Sequence, residues 1–205
     1  MTLRRILLTL AALLLATLVA ACGRTPAIAP LPADAVILAF GDSLTFGTGA
    51  PAEQSYPDVL AGLLNRTVIN AGIPGEVSAA GLNRLPQLLE EHRPQLVILC
   101  HGGNDFLRRL DRARTAANLA AMVELCRAAG ADVVLVGVPE FGLILSPPPL
   151  YREVAERFAI PYEEEIISDL LGDRDFKSDT IHPNAAGYRR MAEAIAKVIK
   201  DARGL

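Results

Sequence analysis

The sequence predicts an α/β protein in which a parallel sheet lies between two layers of helices, a three-layer α/β/α domain. Short runs that are apolar at nearly every position recur along the chain, a pattern typical of parallel strands buried on both faces. Four runs are predicted strands: Val36–Phe40, Val68–Asn70, Leu96–Cys100 and Val133–Val138. Amphipathic helical patterns lie between them, and this alternation indicates a sheet covered on both sides.

The helices are predicted from apolar residues spaced three and four positions apart, which share one helix face. Three such faces lie between the strands: Tyr56, Val59, Leu60, Leu63 and Leu64; Leu82, Leu85, Leu88 and Leu89; Leu119, Met122, Val123 and Cys126. Further helices are predicted over Tyr151–Phe158, Glu163–Leu171 and Asn184–Lys200. The chain shows no internal repeat, and its 205 residues suit one domain with a sizeable core.

The first 21 residues have the pattern of a secretory signal peptide. Arg4 and Arg5 precede an apolar run over residues 6–21, which is short for a membrane-spanning helix. A retained N-terminal anchor helix is the alternative interpretation. We expect the leader to be removed on export.

The residues that end the leader, Val19-Ala20-Ala21-Cys22, resemble the bacterial lipobox. The resemblance implies cleavage before Cys22, acylation of its thiol and a mature protein that is held at a membrane by lipid. Gly23 follows, rather than an Asp that would suggest retention in the inner membrane. We therefore expect an exported, periplasmic protein that is lipid-anchored to a bacterial outer membrane.

Residues 22–34 are rich in proline and lack apolar periodicity, which predicts a semi-extended tether before a globular domain over residues 35–205. Without Arg4 and Arg5 of the leader, the formal charge changes from −3 to −5. We interpret the domain as mildly acidic and without a Lys/Arg cluster, which disfavours nucleic acid and anionic membranes as partners. The expected partner is a small molecule, with membrane contact only through the lipid anchor.

Two cysteines remain after Cys22 is assigned to lipidation. Cys100 ends a predicted strand and Cys126 lies on an apolar helix face, so two buried free thiols are favoured over a disulfide. No Cys/His spacing indicates a metal site, and we predict neither metal nor cofactor.

Three polar, glycine-containing segments follow predicted strands: Gly41-Asp42-Ser43, Asn70-Ala71-Gly72 and Gly102-Gly103-Asn104-Asp105. In open parallel sheets, ligands bind at the carboxyl ends of the strands. These segments therefore predict a site at that edge. Each one alone is also compatible with an ordinary turn, because Gly, Asn and Asp are common turn residues.

Among the three histidines, His182 is the candidate general base. Asp179 lies three residues upstream in Asp179-Thr180-Ile181-His182-Pro183, a spacing that can bring its carboxylate to the imidazole Nδ1 and leave Nε2 free. The alternative is an ordinary turn before a helix. His92 is expected at the surface, whereas His101 is compatible with either the site or a structural hydrogen bond.

Ser43 is the candidate nucleophile because it follows the first strand at a turn that faces the predicted site. The alternative for Ser43 is a helix cap. An α/β-hydrolase G-x-S-x-G elbow is not matched, since Thr45 stands where glycine is required. The candidate oxyanion donors are the Ser43 N–H, the Gly72 N–H and the Asn104 side-chain amide.

Taken together, these segments resemble the SGNH hydrolase superfamily, also called GDSL esterases. Its four blocks occur here in order: Gly41-Asp42-Ser43-Leu44, Asn70-Ala71-Gly72-Ile73-Pro74-Gly75, Gly102-Gly103-Asn104-Asp105 and Asp179-Thr180-Ile181-His182-Pro183. The segment Gly81–Pro86 adds a likeness to the bacterial arylesterase and thioesterase/lysophospholipase subgroup. The resemblance implies a flavodoxin-like sheet of five parallel strands and acyl transfer by Ser43, His182 and Asp179 without a metal.

The expected function is hydrolysis of acyl or aryl esters, with lysophospholipids and acyl thioesters as further candidate substrates. A carbohydrate O-deacetylase with the same catalytic residues is the alternative, and a flavin-binding module is a second one of a different class. The loop of Phe46, the Ile73-Pro74 segment and the apolar run Phe141–Leu145 are expected to border the acyl site, although core packing is an equal alternative for that run.

Overall fold

The computed structural model describes residues 26–140, 142 and 145–205. Within them, five parallel strands form one sheet in the order β2-β1-β3-β4-β5. The strands are β1 Val36–Gly41, β2 Thr67–Gly72, β3 Leu96–Cys100, β4 Asp132–Val136 and β5 Tyr162–Glu163. Gly41 pairs with Gly72 on one side and with Cys100 on the other, so the first three strands end level at one edge. The predicted flavodoxin-like sheet is confirmed.

Helices occupy both faces of the sheet. Their bounds are α1 Ser43–Phe46, α2 Tyr56–Leu64, α3 Ser78–His92, α4 Gly103–Leu107, α5 Arg112–Ala128, α6 Leu150–Phe158, α7 Ile166–Gly172 and α8 Ala185–Asp201, with 3-10 turns at Ala52–Gln54 and Arg174–Phe176. On one side α2 packs against α8, and on the other α3 packs against α5, which packs against α6. This arrangement is the predicted three-layer α/β/α domain.

The core is built from the two central apolar strands and the helix faces around them. All side chains of β3 are buried, as are those from Ile37 to Phe40 in β1. The predicted helix faces pack inward, with the exception of Leu63, which is exposed on α2. Cys100 and Cys126 are buried free thiols, and burial raises the pKa of Cys126 to about 12.

The helix predicted over Glu163–Leu171 begins later than expected. Tyr162 and Glu163 instead form β5, pairing with Leu135 and Val136 of β4. The physical reason lies in the Glu163 side chain, whose Oε1 accepts hydrogen bonds from the N–H groups of Glu165 and Ile166. Glu163 therefore precedes α7 and caps its first turn instead of belonging to it.

The predicted tether is also shorter than expected at its C-terminal end. Ile28 and Leu31 are buried in the core, and their N–H groups donate to the carbonyls of Ala202 and Gly204, at 3.0 and 2.8 Å. The folded domain therefore includes Ile28 and Leu31, which lie upstream of Ala35. The proposed signal peptide and Cys22 lie outside the described residues. Within the described ranges, no helix combines the length and apolar character needed to span a bilayer.

Candidate active site

The predicted nucleophile lies at the carboxyl edge of the sheet. Ser43 is the first residue of α1 and is separated from the end of β1 by Asp42 alone. Asp42 precedes it as the helix cap, and its Oδ1 accepts the Leu44 N–H at 3.1 Å. The alternative role of Ser43 as the cap is therefore taken by Asp42, and the Ser43 hydroxyl is available to other partners.

Ser43, His182 and Asp179 lie in one hydrogen-bonded chain. Ser43 Oγ is 3.0 Å from His182 Nε2, and His182 Nδ1 is 2.8 Å from Asp179 Oδ2. The other carboxylate oxygen of Asp179 accepts the N–H groups of Ile181 and His182, both at 2.8 Å. The fold thus joins a serine and a histidine that are 139 positions apart in the sequence.

The turn that contains Asp179 and His182 fixes the imidazole before α8 begins. The Ser178 N–H donates to the His182 carbonyl at 2.9 Å, and Asn184 caps α8 by accepting the Gly187 N–H. Because the Asp179 carboxylate accepts a hydrogen bond from His182 Nδ1, the neutral imidazole carries its proton on Nδ1. Its Nε2 lone pair therefore faces Ser43. This is the tautomer that a general base for a serine hydroxyl requires.

The local environment keeps Asp179 ionised. Its slight burial alone would raise the pKa of the carboxyl group. The hydrogen bonds from the His182 ring and from the backbone N–H groups of Ile181 and His182 outweigh this effect, so the pKa lies below its usual value of 3.8. An ionised Asp179 can stabilise positive charge on His182.

Asn104 lies in α4 and faces the same cleft as Ser43. One amide hydrogen of Asn104 Nδ2 is donated to Asp42 Oδ2 at 3.1 Å, which leaves the second for another acceptor. Asp42 is buried, and burial raises the pKa of its carboxyl group against the opposing effects of His101, the Leu44 N–H and Asn104. One buried carboxylate therefore contacts both the turn of the candidate nucleophile and the candidate oxyanion amide.

The structure differs from the prediction at Gly72. Its N–H donates to Asn70 Oδ1 at 3.0 Å, so this donor is already engaged. A Cβ at Gly72 would lie 2.1 Å from the backbone nitrogen of Phe46, so this glycine allows α1 to pack closely against the end of β2. The assignment of Gly72 as an oxyanion donor overlooked this packing role.

A second glycine lies three residues further along the same loop. Gly75 has φ 78°, and the Glu76 N–H donates to the Ile73 carbonyl at 3.2 Å. With Pro74 before a glycine of positive φ, this is the pattern of a type II turn, in which the N–H of the third residue is not used by the turn. Gly75 is a candidate donor that the sequence analysis did not select.

His101 belongs to a buried structural network. Its Nδ1 accepts the Gly102 N–H at 2.9 Å, so the ring proton is on Nε2, which donates to Glu76 Oε2 at 3.1 Å. Burial would raise the pKa of Glu76, but the hydrogen bonds from His101 and Arg84 lower it overall. Of the two expectations for His101, a place in the site or a structural hydrogen bond, the contacts therefore support the structural hydrogen bond. His92 lies partly exposed at the end of α3, away from this edge.

Arg84 and Glu76 are site-supporting residues that the sequence analysis missed. Arg84 Nη2 donates to the carbonyls of Gly41 and Ala71, at 3.1 and 2.8 Å, and to Glu76 at 2.7 Å. The guanidinium group thereby connects the ends of β1 and β2 beside Ser43. The only sequence signal for them was that Arg84 lies within Gly81–Pro86, the segment that resembles the arylesterase and thioesterase/lysophospholipase subgroup.

The cleft beside Ser43 is open to solvent, and its volume is about 340 Å³ when the solvent space at its mouth is included. Its apolar walls are formed by Leu44, Leu107, Val138, Pro139, Leu171 and Ile181. Phe46 and Ile73, which were expected at this border, are not part of its lining. Of the apolar run after β4, Phe141, Leu143 and Ile144 lie outside the described residues, whereas Leu145 packs partly buried against the core.

A hydrogen-bonded Ser–His–Asp chain above an apolar cleft, at the carboxyl edge of a doubly wound sheet, defines the class of serine hydrolases. The model of the GDSL-like Lipase/Acylhydrolase family matches residues 39–190, a range that contains Ser43, Asn104, Asp179 and His182. The chain belongs to this family.

Curated relatives agree with the family match. Esterase TesA of Pseudomonas aeruginosa is 36% identical over 177 residues, which cover 80% of this chain and 87% of the relative. The arylesterase of Vibrio mimicus is 32% identical over 172 residues, or 78% of this chain and 86% of the relative. Thioesterase 1/protease 1/lysophospholipase L1 of Escherichia coli is 30% identical over 175 residues, with 80% and 83% covered. The chain is therefore an ester hydrolase.

Solved structures show the same fold. The psychrotrophic esterase EstA of Pseudoalteromonas sp., inhibited by monoethylphosphonate, is similar with a TM-score of 0.73 and 26% identity, over 82% of this chain and 98% of the other. The crystal structure of TesA gives a TM-score of 0.72 and 31% identity, over 82% and 99%. Both cover nearly all of the similar enzyme, so the likeness extends across the whole domain.

Proposed function

We propose that this ester hydrolase uses Ser43 as its nucleophile, His182 as general base and acid, and Asp179 as the residue that orients His182. The observation that carries the proposal is the 3.0 Å contact between Ser43 Oγ and His182 Nε2 above an apolar cleft. The hydrogen bond of Asp179 to Nδ1 supports it, because this bond selects the tautomer in which Nε2 accepts a proton.

The reaction proceeds through an acyl-enzyme. Ser43 Oγ attacks the ester carbonyl while its proton moves to His182 Nε2, and Asp179 stabilises the resulting imidazolium. The tetrahedral intermediate collapses, its ester C–O bond breaks, and the leaving alcohol takes the proton from His182. A water molecule then attacks the acyl-Ser43 carbonyl with His182 again as base, which releases the acid and restores the serine hydroxyl.

The oxyanion of each tetrahedral intermediate is assigned to the Ser43 N–H, the free hydrogen of the Asn104 amide and an N–H of the loop after β2. For that loop, Gly75 replaces Gly72 in our proposal. The Gly72 N–H is engaged with Asn70, whereas the N–H of Gly75 is not consumed by its turn. Donors fixed before the reaction stabilise developing negative charge without reorganisation.

We further propose that the substrates are esters with an apolar acyl or aryl group. Six apolar side chains line the cleft, and each CH₂ group that is buried against them contributes up to about 0.8 kcal/mol. A carbohydrate O-deacetylase needs polar groups that hydrogen-bond the sugar, and this lining offers few. Acyl thioesters and lysophospholipids remain candidate substrates, in line with the name of the similar enzyme of Escherichia coli.

We also propose that the protein is an exported lipoprotein. The support is the charged and apolar leader and the lipobox-like Val19-Ala20-Ala21-Cys22. Acylated at Cys22 and exposed to the periplasm, the enzyme would be held at a bacterial outer membrane.

The catalytic assignment is tested with a fluorophosphonate probe, which phosphonylates activated serines. We expect modification at Ser43 alone, mapped by mass spectrometry of peptides, and no labelling of the Ser43→Ala variant. That variant should lose about 10⁴–10⁶-fold in kcat while unfolding at the wild-type temperature. Ser146→Ala, at an exposed serine, is the matched control and should label and hydrolyse normally. A folded Ser43→Ala protein that keeps a tenth of the wild-type rate would refute the assignment.

A further inference from the structure

Large exposed apolar side chains concentrate around the catalytic edge. Six are found among the described residues, and four of them follow the ends of β1, β2 and β3: Phe46 (52% exposed), Ile73 (45%), Leu107 (48%) and Leu110 (44%). We call these four residues the apolar rim. The other two, Leu63 and Leu205, lie on α2 and at the C-terminus.

The segments that carry the rim contact one another, and Leu107 reaches the cleft. The backbone of Phe46 lies against Gly72, the residue before Ile73. Arg108 Nη2 donates to the Gly75 carbonyl at 2.7 Å, which joins the loop after β2 to the segment of Leu107 and Leu110. Leu107 itself lines the cleft beside Ser43, so the rim adjoins the cleft at this residue.

Arginines are interleaved with the rim. Residues 107–114 read Leu-Arg-Arg-Leu-Asp-Arg-Ala-Arg, and all eight are exposed. Arg112 is paired with Glu140 at 2.6 Å, and the Asp111 side chain caps α5. Arg108 and Arg109 stand directly between Leu107 and Leu110. The segment is therefore locally cationic in a chain whose formal net charge is −3.

The carboxylates near this surface do not neutralise it. Glu76 lies behind the loop after β2, where it accepts hydrogen bonds from Arg84 and His101. Asp179, in the catalytic chain, is hydrogen-bonded to His182. The interpretation that the domain has no Lys/Arg cluster was wrong for this segment, because a whole-chain charge hides a local one.

We propose that the apolar rim, with Arg108 and Arg109, docks the catalytic edge onto the surface of an anionic phospholipid bilayer. The inference rests on the proposed preference for apolar acyl esters, which partition into lipid. Apolar side chains enter the acyl boundary of such a surface while neighbouring arginines contact its phosphates. A second copy of the chain is a poorer occupant, since a symmetric contact would bring arginines against arginines.

The test compares one ester in two kinds of vesicle. The full chain is assayed on p-nitrophenyl decanoate held in phosphatidylcholine vesicles or in vesicles of equal parts phosphatidylglycerol and phosphatidylcholine. We expect faster hydrolysis in the anionic vesicles, and Arg109→Asn should reduce this preference about fivefold. Leu110→Gln should lower the rate in both vesicle types about threefold. Raising NaCl to about 0.5 M should reduce the preference of the wild type as well.

Matched controls are available within the chain. Leu63 is 46% exposed on α2, and Arg93 has a positive φ like Arg109, so Leu63→Gln and Arg93→Asn should leave both vesicle rates unchanged. All four variants should hydrolyse soluble p-nitrophenyl butyrate at the wild-type rate, which reports folding and the catalytic site separately. The leader is common to every variant and cancels in the comparison.

Two outcomes would overturn the docking proposal. One is that the Arg109→Asn variant and the Leu110→Gln variant both hydrolyse the decanoate at the wild-type rate in both types of vesicle. The other is a dimer in solution that Leu110→Gln dissociates while the vesicle rates stay unchanged, which would assign the rim to a self-interface. A wild-type protein that does not hydrolyse p-nitrophenyl butyrate would instead contradict the proposed function. Failure of the docking proposal and failure of the proposed function are therefore distinguishable.

Discussion

Leu107 gives the sharpest test of the proposed substrate class. It lines the cleft next to Ser43, yet about half of its side chain is exposed, so a polar replacement should leave the core intact. We predict that kcat/KM rises with acyl length in the wild type and that Leu107→Asn flattens this rise. Acetate hydrolysis should hardly change, because an acetyl group buries little apolar area against Leu107.

The magnitude follows from the area that an acyl chain and Leu107 bury together. A buried CH₂ contributes about 0.8 kcal/mol, and if half of that is captured, each added CH₂ raises kcat/KM about twofold. Four CH₂ groups separate acetate from hexanoate, so the expected rise is about 15-fold. Burial of the exposed half of a leucine contributes about 1 kcal/mol, and its loss should lower the hexanoate value about fivefold.

The assay is initial-rate hydrolysis of p-nitrophenyl acetate, butyrate and hexanoate, each below its solubility limit. Leu63→Asn is the matched control, since Leu63 has nearly the same exposure but lies on α2. Equal losses on acetate and hexanoate would show that Leu107 supports the site and does not contact the acyl chain. A wild-type enzyme that prefers acetate, or acetylated glycans over hexanoate, would favour the deacetylase alternative.

Three further changes test the site, the network beneath it and the anchor. Asn104→Ala should lower kcat about 10²–10³-fold with little change in KM, because its amide acts on developing charge; a raised KM with an intact kcat would make it a binding residue. Glu76→Gln should flatten the fall in melting temperature between about pH 6 and pH 3, measured by thermal unfolding. The lowered pKa of Glu76 gives stability that is present above its usual 4.5 and lost as the pH falls through the folded value, so an unchanged slope would contradict the network. Cys22→Ser should release the protein from the membrane fraction or block its maturation, and an unmodified Cys22 in mature protein from the native host would contradict the anchor.

The sheet and most of the hydrogen-bonded arrangement of Ser43, His182 and Asp179 were predictable because their sequence signals are local. Strands β1 and β3 are apolar at nearly every position, and the residues that follow them supply Ser43 and Asn104. Asp179 and His182 are three positions apart, so one turn determines their contact. Only the contact between Ser43 and His182 depends on the whole fold. This contact was predicted from the family resemblance of four motif blocks in order, and not from geometry.

The misses come from contacts that no local pattern records. Strand β5 has only two residues, Tyr162 and Glu163, and becomes a strand because β4 offers it an edge. Ile28 looked like part of a proline-rich tether, but it is an apolar residue that packs against the chain end near Gly204. The sequence also could not reveal that the N–H of Gly72 is already bound to Asn70. Each of these three differences concerns which partner a residue meets, and not what kind of residue it is.

The buried carboxyl group of Asp42 lowers the stability of the fold but holds two parts of the site together. Burial raises the pKa of its carboxyl group, so the folded protein binds this proton more tightly than the unfolded chain does. Ionisation of Asp42 therefore lowers stability as the pH rises from the usual value of 3.8 towards the folded value. In return, one carboxylate accepts both the Leu44 N–H at the start of the nucleophile helix and the Asn104 amide. Ser43 and Asn104, the proposed nucleophile and oxyanion donor, are thereby positioned by a single buried group, which explains on physical grounds why an aspartate directly precedes Ser43.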